Sequence, residues 1–183
     1  MKQVISTLSL LSLTSALAAI IFLLNGRLTI AFLSLFVALA FDMIDGPIAR
    51  KYGVASKQGA IFDMLTDVPL HLIFPALLLH AFGVSIWLLG LFVLAGIFRL
   101  VRFTLRGHLD KGDKLYYQGV PVYYSHFLIL LYLLFPLPSL LLDFLLVILG
   151  LLMVSLVPTY KLKPQYLGGL IILYIAVALW KLS

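Results

Sequence analysis

Four aspartates stand within one stretch of 26 residues: Asp42 and Asp45, three apart, then Asp63 and Asp67, four apart. On a helix, spacings of three and four place both members of a pair on the same face. Gathering several like charges in a low-dielectric setting is costly, and it ends in protonation or in cation binding. Hard divalent ions such as Mg²⁺, Mn²⁺ or Ca²⁺ prefer oxygen donors of this kind. Solvation at a helix end, or neutralisation by Arg50 and Lys51, would account for any one of the four aspartates. It accounts poorly for all of them together.

The elements that hold these carboxylates must be membrane spans. Of 183 residues, 63% are hydrophobic and only 11% are charged, against roughly 45–50% apolar in an ordinary soluble domain. A water-soluble globule is thereby excluded, and the length suits one domain over residues 1–183. The absence of cysteine removes disulfides, zinc–thiolate sites, iron–sulfur clusters and thiol chemistry. A crossing helix needs about 20 apolar residues, and polar or proline punctuation divides the chain into seven such stretches. They are Val4 to Leu24, Leu28 to Ala49, Gly59 to Phe82, Ser85 to Leu105, Val120 to Phe135, Ser139 to Val157 and Gln165 to Trp180. The fold class expected is an all-α, polytopic membrane helix bundle.

The charges orient it. With the N-terminus in the cytoplasm, eleven Lys and Arg residues fall on or near the inner side and only Arg27 and Lys181 outside, as the positive-inside rule requires. The net charge of +6 then reflects topology and attraction to anionic lipid head groups, not nucleic acid. Lys2 and Ala16–Leu17–Ala18 also outline a secretory signal with its cleavage site. The apolar run continues through Ile20, Ile21, Phe22 and Leu24 to spanning length, which favours a first membrane span. The polar stretch from Arg106 to Gln118 is expected to be an inner loop with room for a small amphipathic segment. At 1.5 Å per residue, Asp42 and Asp67 each lie about 10–12 Å deep from the loop that joins the second and third spans.

Between the aspartate pairs, Gly46, Ala49 and Gly59 remove side-chain bulk where a ligand could approach the helix backbones, and Arg50 and Lys57 could meet phosphate oxygens. The string Asp42–Met43–Ile44–Asp45–Gly46–Pro47–Ile48–Ala49–Arg50, followed by Gly59, Asp63 and Asp67, resembles the signature of the CDP-alcohol phosphatidyltransferase family at every fixed position. The resemblance implies a dimeric membrane enzyme with a six-helix core, here with one span more. It also implies a two-metal site, for Mg²⁺ or Mn²⁺, formed by Asp42, Asp45, Asp63 and Asp67. Asp67 would in addition be the general base that takes the proton of an acceptor alcohol. Gly46, Ala49, Arg50 and Gly59 would line the cytidine nucleotide. The donor would be a CDP-diacylglycerol-type liponucleotide or its ether analogue, with CMP released.

For the acceptor, Arg99, Arg102 and Arg106 share one face at i, i+3 and i+7, suited to a carboxylate, an alcohol phosphate or the donor diphosphate. Inner-side topology and lipid head groups would equally explain them. Phe98–Arg99–Leu100–Val101–Arg102–Phe103, Gly119–Val120–Pro121 and Leu152–Met153–Val154–Ser155 resemble segments of bacterial and archaeal phosphatidylserine synthases, which implies L-serine. The chain departs from that pattern at Ser12, at Val68–Pro69–Leu70–His71–Leu72 and at Val122–Tyr123–Tyr124. Phosphatidylcholine synthase is the rival within the superfamily, since Tyr116, Tyr117, Tyr123 and Tyr124 could form an aromatic cage for a quaternary ammonium. Glycerol phosphate and inositol phosphate are further acceptors to weigh. His71, His80, His108 and His126 lack paired metal spacing and read as structural or interfacial, with His126 a candidate for alcohol contact. A divalent-cation transporter would also explain buried carboxylates, but the outer halves of the spans are almost wholly apolar and offer no polar path.

Overall fold

A computed structural model describes residues 2–53, 56–107, 109–111, 114–160 and 164–182; side chains are placed for these except at 2–5, 50, 57, 109–111, 114–115, 164–167 and 182. The architecture is an all-α helix assembly. Four helical runs are long and apolar enough to cross a bilayer: Ser6–Leu24, Leu28–Ala49, Gln58–Ala81 and Ile86–Arg106. Val122–Leu134, Ser139–Val154 and Gly168–Lys181 are shorter apolar helices. All seven expected stretches are thus helical. Large apolar side chains such as Trp87 and Leu140 point outward, 83% and 80% exposed, as a lipid-facing surface requires.

The chain divides into two compact units, residues 1–70 with 168–183, and residues 71–167. In the first, α1 (Lys2–Leu24) and α2 (Leu28–Lys51) form a hairpin. Gly26 ends α1 in the left-handed conformation at φ +70°, while Gly26 N–H donates to the Leu23 carbonyl and Arg27 N–H to that of Phe22. This is the Schellman pattern, and it needs a residue without a Cβ. Ala16, Ala19, Ala31 and Ala38 are fully buried, and such small residues let two helix backbones approach closely in lipid. Ser12 Oγ donates to the Ala38 carbonyl at 2.9 Å across that seam. α3 (Lys57–Asp67) starts from an N-cap at Ser56, whose hydroxyl accepts from Gly59 N–H at 3.1 Å. The hydroxyl-bearing ring of Tyr174, on α8 (Pro164–Leu182), packs edge-on against Phe32 and Phe36 of α2.

Past Asp67 the helix widens into a π turn, Val68–Ile73, before α4 (Phe74–Ala81). Pro69 gives the reason: it has no N–H to bond the preceding turn and its ring would strike a carbonyl of a regular α-helix, so a locally wider turn relieves both. The second unit continues with α5 (Ile86–Arg106), α6 (Ser125–Leu134) and α7 (Ser139–Val154). Gly83, at φ +94°, makes the break between α4 and α5.

The polar stretch after α5 differs from expectation. Instead of an amphipathic surface segment it supplies two strands, β1 (Leu109–Lys111) and β2 (Lys114–Gln118), which pair antiparallel with Tyr116 opposite Leu109. β3 (Pro158–Tyr160) joins on the other side of β2, with Tyr116 opposite Tyr160 and Gln118 opposite Pro158. A strand after α7 therefore completes a sheet begun before α6, a pairing over some forty residues that local sequence does not announce.

Gly119 closes this sheet against the end of α7. It sits at φ +76°, and a Cβ there would lie 2.4 Å from the Met153 carbonyl oxygen, 2.8 Å from an Arg102 nitrogen and 2.9 Å from the Ser155 oxygen. Two of these atoms are backbone and cannot swing aside. Gly119→Ala is expected to cost about 2 kcal/mol or more, from left-handed strain plus overpacking, read as a lowered midpoint when the purified protein is heated in detergent; an unchanged midpoint would remove Gly119 from the account of this turn.

Candidate functional site

Asp42 lies near the end of α2 and Asp67 closes α3. Both are half-buried, and they bring carboxylate oxygens within 4.8 Å of each other. Ligands sharing one divalent cation at bonds of about 2.1 Å stand roughly 3–4 Å apart, so this pair brackets a space of suitable size and hardness for Mg²⁺ or Mn²⁺. The residues fit the metal that the resemblance implies.

Asp45 is 5% exposed and accepts a hydrogen bond from Ser9 Oγ at 2.7 Å. That bond ties α1 to α2 and fixes the carboxylate at a depth where an unpartnered one would be costly. Asp63 is exposed, one helical turn before Asp67. The close pairing among the described residues thus takes in Asp42 and Asp67, with Asp45 and Asp63 one turn from each along the same helices. Gly46 is half-buried and Pro47 exposed inside α2. Because Pro47 has no N–H, the Met43 carbonyl between Asp42 and Asp45 has no helical donor. Ala49 is half-buried. Gly59 is exposed, and a Cβ there would come to 3.3 Å from the Ser56 hydroxyl that caps α3, so part of its need for bareness is local. The side chains of Arg50 and Lys57 lie outside the described residues.

The three arginines of α5 do three different things. Arg99 is 3% exposed, and its guanidinium carbon lies 5.1 Å from the ring centres of both Phe103 and Tyr117. These rings are themselves 5.4 Å apart. The near-equilateral triangle means that the guanidinium caps the ring pair, held by cation–π attraction. Arg102 spends its donors on backbone: its two terminal nitrogens donate to the carbonyls of Gln118 at 2.8 Å, Met153 at 2.9 Å, Val154 at 2.6 Å and Ser155 at 2.9 Å. Arg106 is exposed in the last turn of its helix, where its charge suits the negative end of the helix dipole.

Sequence spacing gave no sign of the partnership between His71 and His126, 55 residues apart. His71 Nδ1 and His126 Nε2 are 3.0 Å apart, both rings are buried, and Ser125 Oγ donates to the His71 carbonyl at 2.7 Å. His71 also follows Asp67 by four residues along one unbroken helical run. Tyr116 meets Tyr160 across the sheet, Tyr117 carries Arg99, and Tyr123 stacks on Tyr124, which stacks on Phe127.

Known proteins bear on this arrangement. An archaetidylserine synthase of Methanothermobacter thermautotrophicus is 33% identical over 122 residues, covering 63% of this chain and 51% of that protein. CDP-diacylglycerol–serine O-phosphatidyltransferases of Saccharomyces cerevisiae and Methanocaldococcus jannaschii are 32% identical over 95 residues and 36% identical over 78. Those matches cover 47% and 41% of this chain and 34% and 39% of the relatives. The chain thus spans about half or less of the length of these relatives. The CDP-alcohol phosphatidyltransferase family profile matches residues 3–180, and with the four aspartates set on two adjoining apolar helices this makes the chain an integral membrane protein that belongs to the CDP-alcohol phosphatidyltransferase family.

Proposed function

We propose that this chain transfers a phosphatidyl group, or its archaeal ether counterpart, from a CDP-diacylglycerol-type donor to the hydroxyl of L-serine, releasing CMP. The observation that carries the reading is the approach of Asp42 and Asp67 within the family's aspartate pattern. A divalent cation held by Asp42, Asp45, Asp63 and Asp67, in a two-metal site, would neutralise the donor diphosphate and make CMP a better leaving group. Asp67 takes the proton of the acceptor hydroxyl, whose oxygen then attacks the lipid-side phosphorus; no covalent enzyme intermediate is needed. Gly46, Ala49 and Gly59 leave space for the cytidine, with Arg50 beside it and Lys57 near the phosphates. Family match through both compact units supports one catalytic domain, and the resemblance supports a homodimer. The basic residues crowded at one set of helix ends support a cytoplasmic active site and N-terminus.

Serine is favoured over choline by Arg99. The rings that a quaternary ammonium would require include Tyr117, which already carries a guanidinium, and a second cation there is repelled. Serine synthases among the relatives point the same way. The test is CMP release from CDP-diacylglycerol by purified protein with Mg²⁺ or Mn²⁺, offered serine, choline, glycerol 3-phosphate, inositol or inositol phosphate. Release and a new lipid are expected with serine alone, are expected to vanish in EDTA, and are expected to return with either metal. Turnover with a different alcohol, or metal-independent turnover, would refute the assignment.

A further inference from the structure

The four aspartates of the family pattern stand on α2 and α3, yet one of them takes a hydrogen bond from α1. Ser9 is 3% exposed and Asp45 is 5% exposed, and the serine Oγ donates to Asp45 Oδ2 at 2.7 Å. A serine or threonine inside a helix ordinarily returns its hydroxyl to a carbonyl of the preceding turn, as Thr14 of the same helix does toward Leu10 at 2.9 Å. Ser9 instead reaches a partner 36 residues away in sequence. α1 packs against α3 as well as α2, so the donor belongs to the helix that touches both aspartate-bearing elements. Ser9 and all four aspartates lie within one compact unit.

One hydrogen bond occupies one of the roughly four lone-pair sites of a carboxylate. It restricts the turning of the group and leaves capacity for a cation. Carboxylates that ligate metals are themselves commonly held by such a neighbour, and loss of the neighbour typically weakens metal binding about 10–100-fold. Helix packing alone does not call for a carboxylate acceptor. Ser12, at the same seam, bridges α1 to α2 through the Ala38 carbonyl at 2.9 Å.

We propose that Ser9 is a positioning residue, which through its hydrogen bond holds Asp45 in the orientation that ligates the divalent cation. This rests on the metal-dependent transfer proposed above and deepens it. Ser9 acts through Asp45 and has no contact of its own with the reacting groups.

The test is a Mn²⁺ titration of purified protein, without donor or acceptor, followed by electron paramagnetic resonance. Ser9→Ala is expected to raise the Mn²⁺ Kd about tenfold or more. Ser12→Ala, which removes a hydrogen bond from the same seam, should leave it within twofold. Ser9→Cys nearly keeps the volume and offers only a weak donor, so it should lose most of the same affinity; it carries the comparison if the alanine protein does not fold. In an Asp45→Asn background, adding Ser9→Ala should change the Kd by no more than twofold, because the two residues act as one. A Kd within twofold of wild type in the Ser9 variants, an equal loss in Ser12→Ala, or an undiminished loss on top of Asp45→Asn would each overturn the proposal while leaving metal-dependent transfer intact. Wild-type protein that binds no Mn²⁺ and releases CMP in EDTA would overturn both.

Discussion

Asp67→Asn should lower the rate of CMP release by two to four orders of magnitude, the usual span for loss of a general base, with the protein still folded. The amide has the volume and planar shape of the carboxylate, so it preserves packing where α3 passes into the π turn. It cannot accept a proton at neutral pH, and it is a poor ligand for a hard cation. Both proposed roles of Asp67 therefore fail in one substitution. Two measurements separate them. Mn²⁺ binding followed by electron paramagnetic resonance reports the ligand role without turnover, and kcat at saturating Mn²⁺ reports the base. Without metal, the heat midpoint should hold or rise, because one of two carboxylates within 4.8 Å has lost its charge. Asp143→Asn is the control. That carboxylate accepts from Ser85 N–H at 3.3 Å in the second unit, and the change should leave CMP release within twofold. Full activity in Asp67→Asn would refute the assigned mechanism.

The seven helices were legible because lipid leaves the chain few options. Length of apolar run, with breaks at Asn25–Gly26, at Gly83 and at Pro136–Leu137–Pro138, was enough to separate them, although helices apolar on all sides show little amphipathic periodicity. The aspartates were legible for the complementary reason. Charge is so unwelcome at that depth that its mere presence at helical spacing marks a site.

What escaped the sequence are relations between distant segments. β3 reaches β2 across α6 and α7, and its three residues carry no alternating pattern strong enough to predict a strand. The π turn had a local sign in Pro69, but proline also fits an ordinary helix start, and only the continuous run from Gln58 to Ala81 shows that the helix widens there instead of ending. His71, in the π turn, and His126, on α6, meet only through tertiary packing, which no spacing rule encodes. Heptad-like arithmetic put Arg99, Arg102 and Arg106 on one face correctly. It could not tell which of them spends its donors on backbone, because the acceptors lie 16 and about 50 residues away.

Arg102→Ala is accordingly expected to unfold what Asp67→Asn leaves standing. α7 ends at Val154, and its last carbonyls have no helical donors of their own. The Arg102 guanidinium satisfies the Met153 and Val154 oxygens and adds the Ser155 and Gln118 oxygens, so one cation joins α5, the sheet and the negative end of the α7 dipole. Each charge-assisted bond contributes roughly 1.5–3 kcal/mol. Water that enters the vacated space would restore some of the four, so the expected net loss is about 4 kcal/mol, equivalent to roughly 10 °C in the heat midpoint. Arg102→Lys should recover at most about half, since an ammonium on a flexible stem cannot spread over four oxygens as a planar fork does. The alternative, that Arg102 binds an anionic substrate, predicts the reverse pattern: a raised KM for serine or for CDP-diacylglycerol with an unshifted midpoint. Measuring both quantities on the same alanine variant decides between them.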